Sequence, residues 1–199
     1  MNLKFLGDAL DHWKGSVFEG LQNSNILTDF RVDAMASDIE NWRPEDWSLF
    51  AKLLKVKNSQ IVSHETTLNS NQRQKYFEEI PHTGDLFLDP DTGIRTGSVK
   101  DSKQYLNPDE LFFLMNRVRG RVVIVYQHVR AVKTRERCEA VLKVLCSKSP
   151  TQKFYSASYD SGMVTMLFFS FNKERIELVN DYLRELLGYH AENRIGVWI

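Results

Sequence analysis

Asp89 and Asp91, separated by a single stiffening proline, are the strongest candidates for chemistry in this 199-residue chain. Two carboxylates so spaced can reach one hard divalent cation. Mg²⁺ takes oxygen ligands in an octahedral shell and keeps several of its waters. Such an ion holds a phosphoryl oxygen and activates an attacking water. Asp8 is the third carboxylate expected on that ion. His128 is the expected general base, because an imidazole changes charge near neutrality, and Asp89 shares the catalytic role. Lys14, within GDALDHWKG, and Arg130, Lys133 and Arg135, just beyond His128, are the expected contacts to substrate phosphates. These residues point first to a metal-dependent phosphoester hydrolase, nucleases included, with Mg²⁺ as cofactor and nucleic acid or a nucleotide as partner. A non-enzymatic α/β adaptor or regulator, whose acids serve only turns and caps, is the bland rival.

These side chains need elements to hold them. Leu86-Phe87-Leu88 reads as a strand buried on both faces, halted by Pro90 and turned by Asp91-Thr92-Gly93. RVVIVYQHV is a second continuous apolar strand ending in Gln127-His128. Asn2 to Leu6 reads as a first strand ending at Asp8, and DFRVDA alternates like another, ending near Asp33. QIVSHET is a short strand candidate, while His64 and Glu65 within it should point to opposite faces. Open α/β sheets bind ligands beyond the carboxyl ends of their parallel strands. Asp8, Asp33, Asp89, Asp91 and His128 would all lie there.

Helices are expected between the strands. Leu10, Trp13, Val17 and Leu21 mark one from about Ala9. Pro44 opens the next with Glu45 and Asp46 in its first turn, and a polar helix covers Ser70 to Glu79. Asn107-Pro108-Asp109-Glu110 is a capping box. Further helices start at Thr134, as a cap, and near Asn172, the last stopping at Gly188. KFYSASY and MVTMLFFSF around Asp160-Ser161-Gly162 form an antiparallel hairpin. IRTGSVKDSKQY reads as an exposed hairpin or irregular excursion. The order predicts a single α/β domain over residues 1–199, a three-layer α/β/α sandwich. Its sheet should be mostly parallel and Rossmann-like, with an antiparallel hairpin at the C-terminal edge.

Composition narrows the classes. Lys plus Arg and Asp plus Glu both number 26, so a basic coat for nucleic acid or anionic membrane is unexpected. Cys138 and Cys146 lie on one predicted helix, too far apart to bridge. The longest apolar run, MVTMLFF, falls well short of the roughly 20 residues a membrane helix needs. A cytoplasmic protein with no membrane partner is the expectation. H-E-x-x-H, Walker A, G-x-S-x-G and G-x-G-x-x-G motifs are absent from the sequence.

The segment LFLDPDTG resembles the Asp-Pro-Pro-Tyr signature of amino-directed, Rossmann-like DNA and RNA methyltransferases. In that family the acid and a backbone carbonyl bind the amine being methylated. The resemblance lies in Asp89 and Pro90, while Asp91 and Thr92 stand where the second proline and the aromatic residue would be. It implies S-adenosylmethionine as cofactor and a degenerate nucleic-acid methyltransferase as the alternative function. KFLGDALDHWKG would then be the first strand and turn, without the family's glycine-rich loop. The same Asp-x-Asp spacing resembles haloacid-dehalogenase-like phosphatases and Toprim domains. The threonine of the former and the glutamate of the latter are replaced here by Gly93 and Asp8.

Overall fold

The computed structural model describes residues 1–62, 67–68, 71–97, 102–129 and 132–198. The expectations placed on His64, Glu65, Ser70 and Arg130 lie outside those residues. Helix α1 (Ala9–Asn23) leads into β1 (Arg31–Asp33), α2 (Pro44–Leu53), β2 (Ile61–Val62), α3 (Arg73–Glu78) and β3 (Leu86–Leu88). A parallel pair, β4 (Gly93–Ile94) and β5 (Tyr105–Leu106), precedes α4 (Pro108–Arg117) and β6 (Val123–His128). The chain closes with α5 (Thr134–Lys148), β7 (Tyr155–Asp160), β8 (Val164–Ser170), α6 (Lys173–Leu187), α7 (Ala191–Arg194) and β9 (Ile195–Trp198).

Seven strands form one sheet in the order β2-β1-β3-β6-β8-β7-β9. The pairs β2/β1, β1/β3 and β3/β6 are parallel, and β8 is antiparallel to both of its neighbours. Strand β7 therefore runs with β6, and only β8 and β9 are reversed. Side chains alternate across this sheet. Val32, Phe87, Ile124 and Phe168 pack toward Phe18 and Leu21 of α1, Phe50 of α2 and Val179 of α6. Leu86, Leu88, Val123 and Phe169 pack toward Phe77 of α3, Leu111 of α4 and Val141 of α5. Both faces are covered, which makes the mostly parallel α/β/α sandwich. It also explains why β3 and β6 are apolar at nearly every position.

Helices α4 and α6 start at the expected caps. Asn107 receives the Glu110 carboxylate on its backbone N–H at 2.8 Å, and Asn172 caps α6 through Glu174 N–H at 2.9 Å. Other expectations need correction. Residues 3–5 form a 3₁₀ turn, not a strand, because the Asn2 side chain accepts the Lys4 N–H and turns the chain before an edge can form. Asp8 is accordingly a helix cap, not a strand end. Thr134 is the first helical residue, with Lys133 as cap. The excursion after Gly93 is anchored by the buried Ile94 and Leu106, which pair in parallel, so it is not a hairpin. Strand β9, beyond the hairpin, carries the outer edge. Its four residues hold too little alternation to show in the sequence.

The carboxyl-end site depends on a close helix contact. A Cβ on Gly15 of α1 would run into the Leu53 carbonyl at the end of α2. Gly15→Ala should therefore cost about 1–3 kcal/mol in urea unfolding. Gly97→Ala, where an added Cβ meets nothing within 4 Å, should leave the midpoint in place. Equal midpoints for the two variants would contradict this packing.

Candidate functional site

Strand order places the topological switch between β1 and β3. From β1 the chain moves outward to β2, then returns past β1 to β3 and proceeds the other way through β6. Ligands of open α/β folds bind in the crevice beyond the strand ends at such a point. Here Ala34, Met35 and Ala36 follow β1, and Asp89-Pro90-Asp91 follows β3. Their main-chain oxygens converge on one ammonium, the α-amino group of Met1. It donates to Ala34 O at 2.7 Å, Met35 O at 3.2 Å and Asp89 O at 2.7 Å. Asp91 Oδ1 lies 3.5 Å from the same nitrogen, and Asp91 Oδ2 accepts from Ser37 Oγ at 3.2 Å.

Beside this crevice Lys14 is fully buried between two carboxylates. Its Nζ lies 3.0 Å from Asp11 Oδ1 and 2.8 Å from Asp89 Oδ2, with the Tyr126 ring 4.2 Å away. Burial by itself would lower the Lys14 pKa. Asp89 and Asp11 together outweigh it and raise the value, so the ammonium stays charged. Burial also holds the Asp11 carboxyl above the usual range, against the pull of Lys14. The Tyr126 phenol is pushed up by burial first and by Asp89, Asp8 and Asp11 next. The local sequence makes this possible. Asp11 and Lys14 sit three apart on α1, on one face, and the Asp8 cap fixes where that helix begins.

Asp8, Lys14, Asp89, Asp91 and His128 all line one cavity of about 200 Å³. Of the residues expected at one shared cleft, Asp8, Asp89, Asp91 and His128 line this cavity, whereas Asp33 is not among its lining residues. The half-buried His128 ring meets the Tyr126 ring edge-on at 5.0 Å. Exposed Phe5 stands at the mouth. Gln127 ties the Asp89–Gly93 turn to β6. Its Oε1 accepts from Ile94 N at 2.8 Å and its Nε2 donates to Thr92 O at 3.1 Å. Gly93 is required there, since its φ is +118° and a Cβ would strike the Gln127 amide.

Lys133 and Arg135 do not join this cleft. Both are exposed on the α5 start, and Arg135 pairs with Glu139 at 2.9 Å. Arg135 lines a separate cavity of about 310 Å³ with Thr134, Arg194 and Trp198. Three tryptophans pack against neighbouring rings of the protein: Trp42 stacks on Trp47 at 4.2 Å, and Trp13 meets Tyr159 at 5.1 Å. Cys138 and Cys146 are both free thiols.

The donor set does not fit Mg²⁺. Asp8 Oδ1 accepts the Leu10 and Asp11 N–H groups at 2.8 and 3.2 Å, Asp89 is engaged by Lys14, and Asp91 faces Met1 and Ser37. Among the described residues no group of three or more His, Cys, Asp or Glu side chains is placed to hold a metal ion. Where the sequence suggested a cation among three carboxylates, a lysine ammonium neutralises Asp89 with Asp11. Lys14 therefore turns its charge inward, not toward a phosphate. Asp11, not expected in the site, is the second acid on that ammonium. Its i, i+3 spacing to Lys14 was the available signal.

No family model, curated protein or solved structure matches this chain. Among the described residues no helix is long and apolar enough to cross a membrane.

Asp33, at the end of β1, is the other buried acid of this region. Its Oδ1 accepts from the Tyr76 hydroxyl at 2.6 Å and from Met35 N at 2.8 Å, while Oδ2 has no hydrogen-bond partner. Burial raises its pKa from 3.8 to about 6. An acid whose folded pKa is raised stabilises the fold fully below its unfolded value, and that contribution is lost as the pH rises through the folded value. Asp33 should thus contribute about 3 kcal/mol at low pH that disappears between pH 3.8 and about 6. Asp33→Asn, which keeps an acceptor for Tyr76, should flatten this part of the stability profile. Parallel wild-type and variant profiles from urea unfolding across pH 3.5 to 7 would contradict the assignment.

Proposed function

We propose that this chain is a Rossmann-like methyltransferase directed at an amino group on nucleic acid. The observation that carries the reading is the convergence of the Ala34, Met35 and Asp89 carbonyls on one point of the switch-point crevice. Three such acceptors fit the ammonium end of S-adenosylmethionine. The turn after β1 lacks the family's glycines, and the family's aromatic position is Thr92. That makes this a divergent member of the type, in which Lys14 engages the Asp89 carboxylate and the amine is left to Asp91.

Bound there, S-adenosylmethionine supplies an activated methyl group. The Ala34, Met35 and Asp89 carbonyls would hold its ammonium. Asp91, directed to the same crevice, accepts an N–H of the target amine and orients its lone pair. His128, across the cavity, takes the proton that the amine gives up. Phe5 and the Tyr126 ring edge bound a space of about 200 Å³, enough for a single flat base turned out of its stack. Lys14 stays in the wall and holds Asp89 in register.

The balanced charge and the outlying Lys133 and Arg135 favour a locally contacted strand over a duplex bound along a basic face. The phosphoester-hydrolase reading would need a metal centre that the carboxylates do not make among the described residues. Calorimetry with S-adenosylmethionine should show saturable binding, and Asp91→Asn should lower incorporation of labelled methyl into single-stranded oligonucleotides. Loss of one charge-assisted hydrogen bond corresponds to about a ten-fold effect or more. Absence of both cofactor binding and methyl incorporation in the wild type would overturn the reading and favour a non-enzymatic role.

A further inference from the structure

Helix α6 is complete on the side that meets the sheet, where Ile176, Val179 and Leu183 are buried. Its outer side departs from the polar surface expected of a covering helix. Leu178 and Leu186 are 49% and 53% exposed, and the half-buried Tyr182 lies between them. The three stand at i, i+4 and i+8, one ridge of about 12 Å by helical rise. Scattered exposed leucines are ordinary. An aligned ridge is what one helix offers to another. This ridge has a firm base, because the Tyr182 hydroxyl lies against Gly20 of α1, where a Cβ would strike it. The ring thereby bridges the seam between the two helices.

Along one border of the ridge run Glu174, Asp181 and Glu185, all exposed and spaced i, i+7 and i+11. None of the three makes an ion pair among the described residues. The nearby cations are engaged elsewhere. Lys173 pairs with Glu177 at 2.8 Å, Arg175 with Asp85 at 2.6 Å, and Arg184 donates to Asn180 at 3.2 Å. A chain with equal numbers of acids and bases thus presents a leucine ridge beside an uncompensated negative row. We propose that this face docks an amphipathic helix of a partner protein, its apolar residues on Leu178, Tyr182 and Leu186 and its lysines or arginines along the acid row. Charge selects this occupant. A second copy docked antiparallel through α6 would set the two acid rows against each other, since such packing brings like borders together. An anionic bilayer would meet the same repulsion, because helices that lie on such membranes border their apolar face with Lys and Arg. No residue lining the carboxyl-end cleft lies on α6, so this surface is independent of the function proposed for that cleft.

The probe is a synthetic helical peptide of about 18 residues, with leucines at i, i+4 and i+8 and lysines along one border. Its control carries glutamate in place of each lysine. Titrated into ¹⁵N-labelled protein, the lysine peptide should saturably shift the amides of α6 and those around Gly20. It should bind about ten-fold tighter than the glutamate peptide at low salt, an advantage that added salt erodes. Leu178→Ser combined with Leu186→Ser should weaken the lysine peptide by about ten-fold, as expected for lost leucine burial, and leave the urea midpoint in place. Glu174→Lys, Asp181→Lys and Glu185→Lys together should reverse the preference between the peptides. Equal affinities for the two peptides, shifts centred elsewhere, or a lysine peptide indifferent to the serine pair would overturn the proposal. Self-association of the wild type that the serine variant loses would instead assign the face to a second copy. Binding to phosphatidylserine vesicles that the same variant loses would assign it to a membrane, and either result overturns the proposal.

Discussion

A lysine ammonium held in the protein interior dictates the carboxyl-end half of this structure. An unpaired ion of this kind would neutralise or draw water inward, because its desolvation costs several kcal/mol even after relaxation. Lys14 avoids that outcome through two carboxylates from different elements, Asp11 on its own helix and Asp89 beyond β3. The pairing fixes the rotation of α1, since only one face of that helix can present residues 11 and 14 together. It also fixes the height of the helix over the sheet, because Asp89 sits at the strand end. Gly15 permits the approach, and Asp8 sets the first turn. The cleft is what remains between that helix, the Asp89–Asp91 turn and the end of β6.

Two kinds of polar convergence therefore stand side by side. Toward the protein interior, charges cancel: Lys14 against Asp11 and Asp89. Toward the crevice, main-chain oxygens are left pointing at an ammonium, and Asp91 and His128 border the open space. This division explains why one short acidic segment supports such different readings. Asp89 carries the structural charge through its side chain and the ligand-facing dipole through its carbonyl. Asp91, one residue beyond the proline, carries the accessible charge.

Much of the frame is legible in the sequence. Apolar runs such as Leu86–Leu88 and Val123–Val125 can only be strands covered on both faces, and helix caps at Asn107 and Asn172 follow from short-range hydrogen bonding. The hairpin of β7 and β8 is marked by Asp160-Ser161-Gly162. What the sequence hides is set by long-range contacts. The first residues look like a strand until the Asn2 side chain turns them, and the bonds from the Met1 nitrogen to Ala34, Met35 and Asp89 set where that turn sits. Strand β9 is too short for its periodicity to register and exists because β7 offers an unpaired edge. For the site, the meeting of Asp89, Asp91 and His128 follows from the rule about strand ends, whereas Asp8 and Lys14 reach it from the cap and first turns of α1. Their roles were not legible, because residue type alone does not tell whether a carboxylate faces a metal, a lysine or solvent.

The dependence on Lys14 is tested most directly by urea unfolding of Lys14→Met as a function of pH. Methionine keeps the length and apolar stem but removes the charge, leaving Asp11 and Asp89 buried together. The variant should lose about 3–5 kcal/mol near neutrality, the cost of breaking a buried ion pair. Much of that loss should return as the pH falls and the two carboxyls take up a proton, relieving their repulsion. A variant as stable as the wild type near pH 7, with a stability difference that does not change with pH, would contradict the central role given to this ammonium.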